Sequence, residues 1–223
     1  RFDTKGIIYN KRGHVYKVNL KTLKFNKIVD GDKSNIVSID SLAESKKGIA
    51  IAYNQYNSKG TMLEEKIGSL VGSKIKDIFS KGSMGNLFYY EDDLYAVGLR
   101  NRFDWPTNTN ILKISKTGKV SFKYHSLDRN IVKADVNDSK LYFLYEDSGK
   151  TLLRDATNNV DLVNQEITIK DFAFNEDKTY VIANSFSSPD EIYKVNDGQL
   201  TKISKSNEFF TKKVKTWNCT YQR

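Results

Sequence analysis

The sequence predicts an all-β protein that is built from a repeated four-stranded element. Apolar and polar residues alternate along most of the 223-residue chain, and Gly, Asn and Asp interrupt the alternation at short intervals. Units of four short strands recur with a period of about 40 to 45 residues, which is typical of repeat architectures. The stretch 61–79 is ambiguous between helix and strand, but Gly68 and Gly72 disfavour a long helix there.

Four complete repeats follow one another along the chain. In each, the first strand ends in an acidic or Asn turn, an aromatic-rich strand follows, and a hairpin closes the repeat. The repeats cover approximately residues 35–80, 84–125, 129–165 and 168–204.

Two incomplete pieces remain near the chain ends. Residues 6–29 read as three strands that lack a first strand, and residues 208–218 read as a single strand. Together these strands can complete one sheet, which removes two open sheet edges. We therefore expect residues 1–223 to form a single domain of five repeats, in which the C-terminal strand closes the first.

The four-stranded repeat resembles the blade of a β-propeller, in which each sheet buries its faces against neighbouring blades. The stretch SFSSPDEIYKVNDGQLTKIS, residues 185–204, is more specific. It resembles the blade hairpins in the propeller domain of prolyl-oligopeptidase-type serine peptidases, where a Ser-Ser-Pro segment precedes a strand similar to EIY. That family carries a catalytic α/β-hydrolase domain after the propeller. Because this sequence has no Gly-x-Ser-x-Gly elbow, at most the propeller half of such a peptidase is expected here, and the peptidase activity is not carried over from the resemblance.

The composition is that of a folded globular protein, with 39% hydrophobic and 12% aromatic residues. The formal charge of +9 is spread over single lysines on predicted strand faces. This distribution predicts at most weak polyanion binding and no specific nucleic-acid recognition. No stretch approaches the roughly 18 consecutive apolar residues that span a membrane, so we expect no transmembrane segment. We expect a monomer that is secreted or at the cell surface, with the cytoplasm as the alternative.

Few residues offer catalytic or metal-binding chemistry. The histidines are His14 and His125, and the single cysteine is Cys219. Neither histidine belongs to a recognisable Ser-His-Asp arrangement, and these three residues do not suggest a zinc site. Residues 135–146 imitate the spacing of a calcium loop, but a β-hairpin explains them better; residues 30–35 are interpreted as a loop between blades. We therefore predict no catalytic set, no metal and no cofactor.

The predicted binding surface consists of the loops between the second and third strands, which emerge at the same end as the loops joining one blade to the next. The loop of residues 100–110 is the longest and has the composition of a binding hot spot. Its candidate residues are Arg100, Arg102, Phe103, Asp104 and Trp105. The corresponding loops of residues 54–60, 146–150 and 185–191 contribute Tyr56, Glu146 and Phe186. Alternatively, Phe103 and Trp105 fold back to close the channel mouth, or Asp104 acts as a catalytic carboxylate.

These observations favour a non-enzymatic binding module that recognises a protein, peptide or glycan. Two alternatives remain open. The first is a propeller hydrolase of glycosidase or lactonase type, in which carboxylates from several blades converge on the channel mouth. The second is the propeller half of a larger peptidase-like protein.

Overall fold

The computed structural model describes the backbone of residues 7–11 and the complete residues 13–101, 107–123, 127–163 and 165–214. These residues form antiparallel sheets in which strands that follow one another in sequence are neighbours in space. The chain divides into two compact units, Arg1–Asp128 and Arg129–Arg223. Among the described residues, no helix is long and apolar enough to cross a membrane.

The first compact unit contains one three-stranded and two four-stranded sheets in its described part. The first sheet comprises β1 (Ile7–Lys11), β2 (His14–Val18) and β3 (Phe25–Val29). The second comprises β4 (Ile36–Ser45), β5 (Gly48–Tyr56), β6 (Leu63–Val71) and β7 (Lys74–Phe79). The third comprises β8 (Ser83–Tyr90), β9 (Asp93–Leu99), β10 (Asn110–Ile114) and β11 (Val120–Phe122). The ambiguous stretch 61–79 therefore forms the β6–β7 hairpin.

The second compact unit contains two four-stranded sheets and a short helix in its described part. The fourth sheet comprises β12 (Ile131–Asn137), β13 (Lys140–Asp147), β14 (Lys150–Asp155) and β15 (Val160–Asp161). The fifth comprises β16 (Thr168–Asn175), β17 (Lys178–Ser185), β18 (Ser188–Asn196) and β19 (Gln199–Lys202), and α1 (Glu208–Lys213) follows it. The prediction of an all-β protein with repeated four-stranded sheets is confirmed.

The prediction of a closing strand at residues 208–218 is wrong for the described part of that range, because Glu208–Lys213 form the helix α1. Glu208 lies in the first turn, and Lys212 and Lys213 lie in the last, where they complement the helix dipole. Glu208 also pairs with Lys212 one turn away, at 3.0 Å. Among the described residues, no strand completes the three-stranded first sheet.

Tight turns between the strands are encoded by short polar residues and glycine. In four hairpins, two successive turn residues have positive φ, as type I′ turns require. These pairs are Glu91–Asp92, Asp138–Ser139, Ser148–Gly149 and Asp197–Gly198. The second pair lies within residues 135–146, so the hairpin interpretation of that stretch is confirmed.

The hydrophobic core lies between neighbouring sheets of the same compact unit. Between the first and second sheets, it includes Val15, Val29, Ile36, Ile51 and Tyr53. Between the second and third, it includes Ala50, Ile67, Leu87, Leu94 and Leu112. Between the fourth and fifth, it includes Leu144, Leu153, Ile169, Phe172 and Val181. This face-to-face packing explains why no single repeat can bury its apolar residues alone.

The first strands of adjacent sheets are linked where their ladders are irregular. Pairing shifts register at Ile39/Ser41 in β4 and at Gly85/Leu87 in β8, and the Ser41 hydroxyl accepts a hydrogen bond from the Leu87 N–H at 2.8 Å. In the second compact unit, the corresponding irregularities occur at Ile131/Lys133 and Ile169/Asp171.

In the second compact unit, an ion pair links the first strands of the fourth and fifth sheets. The Lys133 ammonium group donates to Asp171 and lies 5.0 Å from the centre of the Phe172 ring. The irregularities thus place polar side chains where neighbouring first strands meet.

A buried tyrosine links the last three strands of the fourth sheet. The Tyr145 hydroxyl donates to Asp161 at 3.0 Å and accepts a hydrogen bond from Arg154 Nη2 at 2.9 Å. Arg154 Nε also donates to Asp161 at 2.8 Å. Burial and the hydrogen bond to Asp161 raise the pKa of Tyr145 to about 12. The network therefore joins β13, β14 and β15 with the phenol in its neutral form.

Replacing Tyr145 by Phe is expected to lower the free energy of unfolding by about 1–3 kcal/mol, because Arg154 and Asp161 each lose a partner in a partly buried site. Denaturant unfolding at neutral pH measures this loss. The matched control is Tyr180→Phe, since the Tyr180 hydroxyl has no hydrogen-bond partner among the described residues. Equal stabilities of the two variants would contradict the role of the network.

Candidate functional site

The loops before the first strand and after the second strand of a sheet lie at the same end. In the second sheet, Ile36 at the start of β4 pairs with Gln55 near the end of β5. In the third sheet, Ser83 at the start of β8 pairs with Leu99 at the end of β9. Two clefts of the first compact unit are lined by residues at this loop end.

The first cleft, here called the Arg100 cleft, has a volume of about 520 Å³. Its lining includes Glu64, Phe79, Ser80, Lys81, Arg100 and Asn101. Ser80 and Lys81 belong to the loop between β7 and β8, and Arg100 and Asn101 directly follow β9. The pairing of β8 with β9 therefore brings two separate loop segments, each with one cation, to a common cleft.

The positive charges of the Arg100 cleft are not balanced by described carboxylates. Glu64 pairs with Lys66, whose ammonium group lies 3.5 Å from Glu64 Oε2 and 3.3 Å from Asp77 Oδ2. No described carboxylate lies within ion-pair distance of Lys81 or Arg100. Both cations are exposed, so the cleft can offer charged hydrogen-bond donors to a ligand.

An apolar surface adjoins these cations. Phe79 and Val120 line the cleft and are half-buried. The Arg100 guanidinium carbon lies 5.6 Å from the centre of the Phe122 ring, and this cation–π contact orients the side chain. The cleft can therefore receive an anionic group and an apolar group side by side.

The second cleft, here called the Tyr56 cleft, has a volume of about 530 Å³. Its lining includes Asp32, Asn35, Val37, Tyr56, Asn57 and Ser58. Tyr56 is the last residue of β5 and is 52% exposed. Gln55 Nε2 donates to the Ser34 carbonyl at 2.7 Å, which ties the loop of residues 30–35 to the end of β5.

The structure places the predicted binding residues in different surroundings. Arg100 and Tyr56 line the two clefts of the first compact unit. In the second, Glu146 is exposed and accepts a hydrogen bond from Asn130 Nδ2 at 3.0 Å, and Phe186 is 69% exposed. The other candidates, Arg102, Phe103, Asp104 and Trp105, lie outside the described residues, as do His125 and Cys219.

Two predicted loops of the second compact unit are shorter than expected. Residues 146–150 were expected to form a loop, but Glu146 and Asp147 belong to β13, and only Ser148 and Gly149 connect it to β14. Residues 185–191 were also expected to form a loop, but Ser185 pairs with Ser188, and β18 begins at that residue. These two-residue turns leave little room for a loop-built site there.

Glu191 of β18 is fully buried and was not singled out by the sequence. Its carboxylate accepts hydrogen bonds from the Ser204 hydroxyl, the Ser206 N–H at 3.2 Å and the Asn207 N–H at 2.9 Å. Lys202 Nζ lies 3.1 Å from Oε1. The hydrogen bond from Ser204, with those from the backbone and Lys202, lowers the pKa of Glu191 to about 2. With all its partners supplied by the segment after β18, this carboxylate is a structural anchor.

The cleft residues of the blade-to-blade loops were missed by the sequence analysis. Ser80 and Lys81 are ordinary surface residue types in a short connection. The sequence predicted that the loops joining one blade to the next emerge at the same end as the loops between second and third strands. That expectation could have identified Ser80 and Lys81 as candidate residues.

Solved structures of other proteins have a similar fold. The acylaminoacyl peptidase of Pyrococcus horikoshii matches with a TM-score of 0.58 and 15% identity, over 96% of this chain and 45% of that chain. A puromycin-hydrolyzing peptidase of Mycobacterium tuberculosis matches with a TM-score of 0.59 and 14% identity, over 90% of this chain and 36% of that one. TolB from Acinetobacter baumannii matches with a TM-score of 0.57 and 14% identity, over 88% of this chain and 50% of that chain.

The two peptidase matches confirm the resemblance to the propeller domains of prolyl-oligopeptidase-type peptidases. At such low identities they show the fold alone. The chain spans 45% of the length of the acylaminoacyl peptidase. No protein-family model matches the chain, and no curated protein matches it.

Proposed function

We propose that this chain is a binding module that recognises a peptide through the Arg100 cleft. The ligand carries a free carboxylate next to an apolar side chain. The observation that carries this proposal is the meeting of Arg100 and Lys81, without described carboxylate partners, beside an apolar wall in one cleft of about 520 Å³.

The chemistry of the cleft supports a carboxylate ligand. The planar Arg100 guanidinium group matches a carboxylate with two parallel hydrogen bonds, and Lys81 adds a second charge. Ser80, which also lines the cleft, supplies a neutral polar group. Phe79 and Val120 offer the apolar contact that distinguishes a peptide terminus from a free inorganic anion.

The hydrolase alternative receives less support from the described carboxyl groups. Glu191, which has a lowered pKa, is buried among protein donors. At Asp30, burial raises the pKa, but the hydrogen bond and charge of Lys27 outweigh it and leave the pKa below its ordinary value. A general acid in a glycosidase needs the opposite shift.

An array of short peptides tests the proposal. Each peptide is presented with a free carboxyl terminus and, as its matched partner, with an amidated terminus. We expect a subset with apolar C-terminal residues to bind only in the free-acid form. Arg100→Ala and Lys81→Ala are each expected to weaken binding roughly tenfold or more, because a hydrogen bond to a charged group contributes about 1.5–3 kcal/mol.

Lys170→Ala is the matched control, since Lys170 is an exposed lysine on β16 in the other compact unit. The affinity of the Lys170→Ala variant for the free-acid peptides should equal that of the unaltered chain. Equal binding of acid and amide peptides, or equal weakening by all three substitutions, would contradict the proposal and indicate nonspecific attraction to a chain of net charge +9.

The structural neighbours favour a second candidate, the propeller half of a larger peptidase-like protein. The supporting observation is that peptidases of known structure contain this fold as less than half of their chain. The gene sequence beyond Arg223 tests it. An α/β-hydrolase segment with a Gly-x-Ser-x-Gly elbow would support this candidate, and a stop codon directly after Arg223 would count against it.

A further inference from the structure

A group of three side chains in the first compact unit combines one histidine with two carboxylates. His14 is the first residue of β2, Asp30 directly follows β3, and Asp32 lies in the loop that leads to the second sheet. Asp30 Oδ1 lies 3.5 Å from His14 Nδ1, and Asp32 Oδ2 lies 3.8 Å from His14 Nε2. One potential ligand atom from each residue can be chosen so that all three lie within 4.8 Å of one another.

One oxygen of this group has an unmet bonding requirement. Asp30 Oδ1 is buried and has no hydrogen-bond partner among the described residues. The nearby His14 Nδ1 cannot supply a proton in its present state, because it accepts a hydrogen bond from the Gly31 N–H at 3.0 Å. An acceptor oxygen and an acceptor nitrogen thus face each other, an arrangement that is unfavourable unless a cation joins them.

The loop that carries the two carboxylates is held close to β2. A Cβ atom on Gly31 would lie 2.2 Å from the Gly13 carbonyl oxygen, so the two backbones approach as closely as glycine permits. The Gly31 carbonyl accepts hydrogen bonds from the Ile36 N–H at 2.9 Å and the Ser34 N–H at 3.1 Å. The carboxylates are therefore placed by a compact turn.

The donor set selects a class of metal ion. One imidazole nitrogen with two carboxylate oxygens suits Zn²⁺ and similar transition-metal ions, whereas Ca²⁺ and Mg²⁺ prefer oxygen ligands alone. Two ligands of a tetrahedral zinc ion at about 2.1 Å lie roughly 3.4 Å apart. The separation of 3.5 Å between His14 Nδ1 and Asp30 Oδ1 is close to this value.

We propose that His14, Asp30 and Asp32 bind one divalent transition-metal ion, with Zn²⁺ the best-fitting probe. The ion joins Asp30 Oδ1 to the Nδ1 lone pair, which releases the Gly31 N–H. In this structure Asp32 faces the other ring nitrogen, Nε2, and its side chain is 88% exposed, so it has the freedom to rotate towards Nδ1 and bind the ion from the solvent side. The site is separate from the Arg100 cleft, so it stands independently of the proposed peptide binding.

Lys27 opposes metal binding. Its ammonium group lies 3.3 Å from Asp30 Oδ2, the second oxygen of the same carboxylate. A positive charge at this position repels a divalent cation on Oδ1. Lys27→Met is therefore expected to tighten zinc binding several-fold, a change in the opposite direction from loss of a ligand.

Calorimetric titration with zinc chloride at neutral pH tests the proposal. The protein carries no affinity tag, and Cys219→Ser is included in every variant because a thiol also binds zinc. We expect one zinc ion per chain, no comparable binding of calcium chloride, and a Kd that rises about tenfold or more in His14→Ala and in Asp32→Asn. The Gly31 amide resonance is expected to shift on zinc addition in the unaltered site, and Asp32→Asn is expected to need about tenfold more zinc or more for the same shift.

Asp32→Asn keeps the test valid if His14→Ala does not fold, because the Asp32 side chain is exposed. Asp177→Asn, which removes an exposed carboxylate of the second compact unit, is the control and should leave the Kd unchanged. The absence of saturable binding at millimolar zinc would overturn the proposal. An unchanged Kd in Asp32→Asn would overturn it equally.

Discussion

Replacing Glu191 by Gln is expected to cause one of the largest losses of stability of any single substitution in the second compact unit. The side chain is fully buried, and three donors of the segment after β19 converge on its carboxylate. A Gln side chain places an amide NH₂ group against these donors and leaves Lys202 without its partner. We expect Tm to fall by more than it does in Tyr145→Phe, as measured by thermal unfolding.

The stability lost in Glu191→Gln should decrease as the pH falls. Because the pKa of Glu191 is lowered from about 4.5 to about 2 in the folded protein, its contribution to stability is fully present above pH 4.5. It is lost as the pH falls towards 2. The stability difference between the unaltered chain and Glu191→Gln should therefore shrink between these values. Glu208→Gln, which removes an exposed helix carboxylate, should show a small difference at all pH values. A difference for Glu191→Gln that grows on acidification would contradict this account.

Leu112→Ala is expected to lower the free energy of unfolding by about 2–5 kcal/mol, because it leaves a cavity in a packed core. Leu112 lies on β10, is completely buried, and belongs to the cluster between the second and third sheets. Guanidinium-induced unfolding measures the change in the free energy of unfolding.

The matched control for this substitution is Leu63→Ala at the start of β6. Leu63 is 43% exposed, so its truncation is expected to change the free energy of unfolding by about 0.5 kcal/mol or less. Similar losses from the two substitutions would contradict the face-to-face packing of the second and third sheets.

The strands and tight turns could be predicted because they depend on local patterns. The alternation in β12 and β13 places apolar residues on the buried face, and the Asp138–Ser139 pair can adopt the positive φ that a type I′ turn needs. Both signals lie within a few residues of one another, and no tertiary information is required to read them.

The helix α1 was missed because its sequence supports two structures. The residues EFFTKK contain aromatics that suit a strand as well as Glu and Lys residues that suit a helix. The buried Glu191 carboxylate accepts hydrogen bonds from the Ser206 and Asn207 N–H groups, directly before the helix begins at Glu208. This long-range contact is not visible in the local pattern.

The candidate sites could be predicted only in part for the same reason. Arg100 and Tyr56 were identified from the composition and position of their loops, but Lys81 joins Arg100 only because β8 pairs with β9. His14 and Asp30 are likewise far apart in sequence and meet where β2 pairs with β3. Such groupings require the register of the sheets, which the sequence alone did not supply.

A double-mutant cycle tests the central claim, that Arg100 binds the carboxylate of a peptide, most directly. A peptide selected on the array is titrated as its free acid and as its amide into the unaltered chain and into Arg100→Ala. The account predicts a coupling energy of about 1.4 kcal/mol or more, equivalent to tenfold in affinity. Additive effects, with a coupling of about 0.3 kcal/mol or less, would show that Arg100 does not contact the carboxylate and would contradict the account.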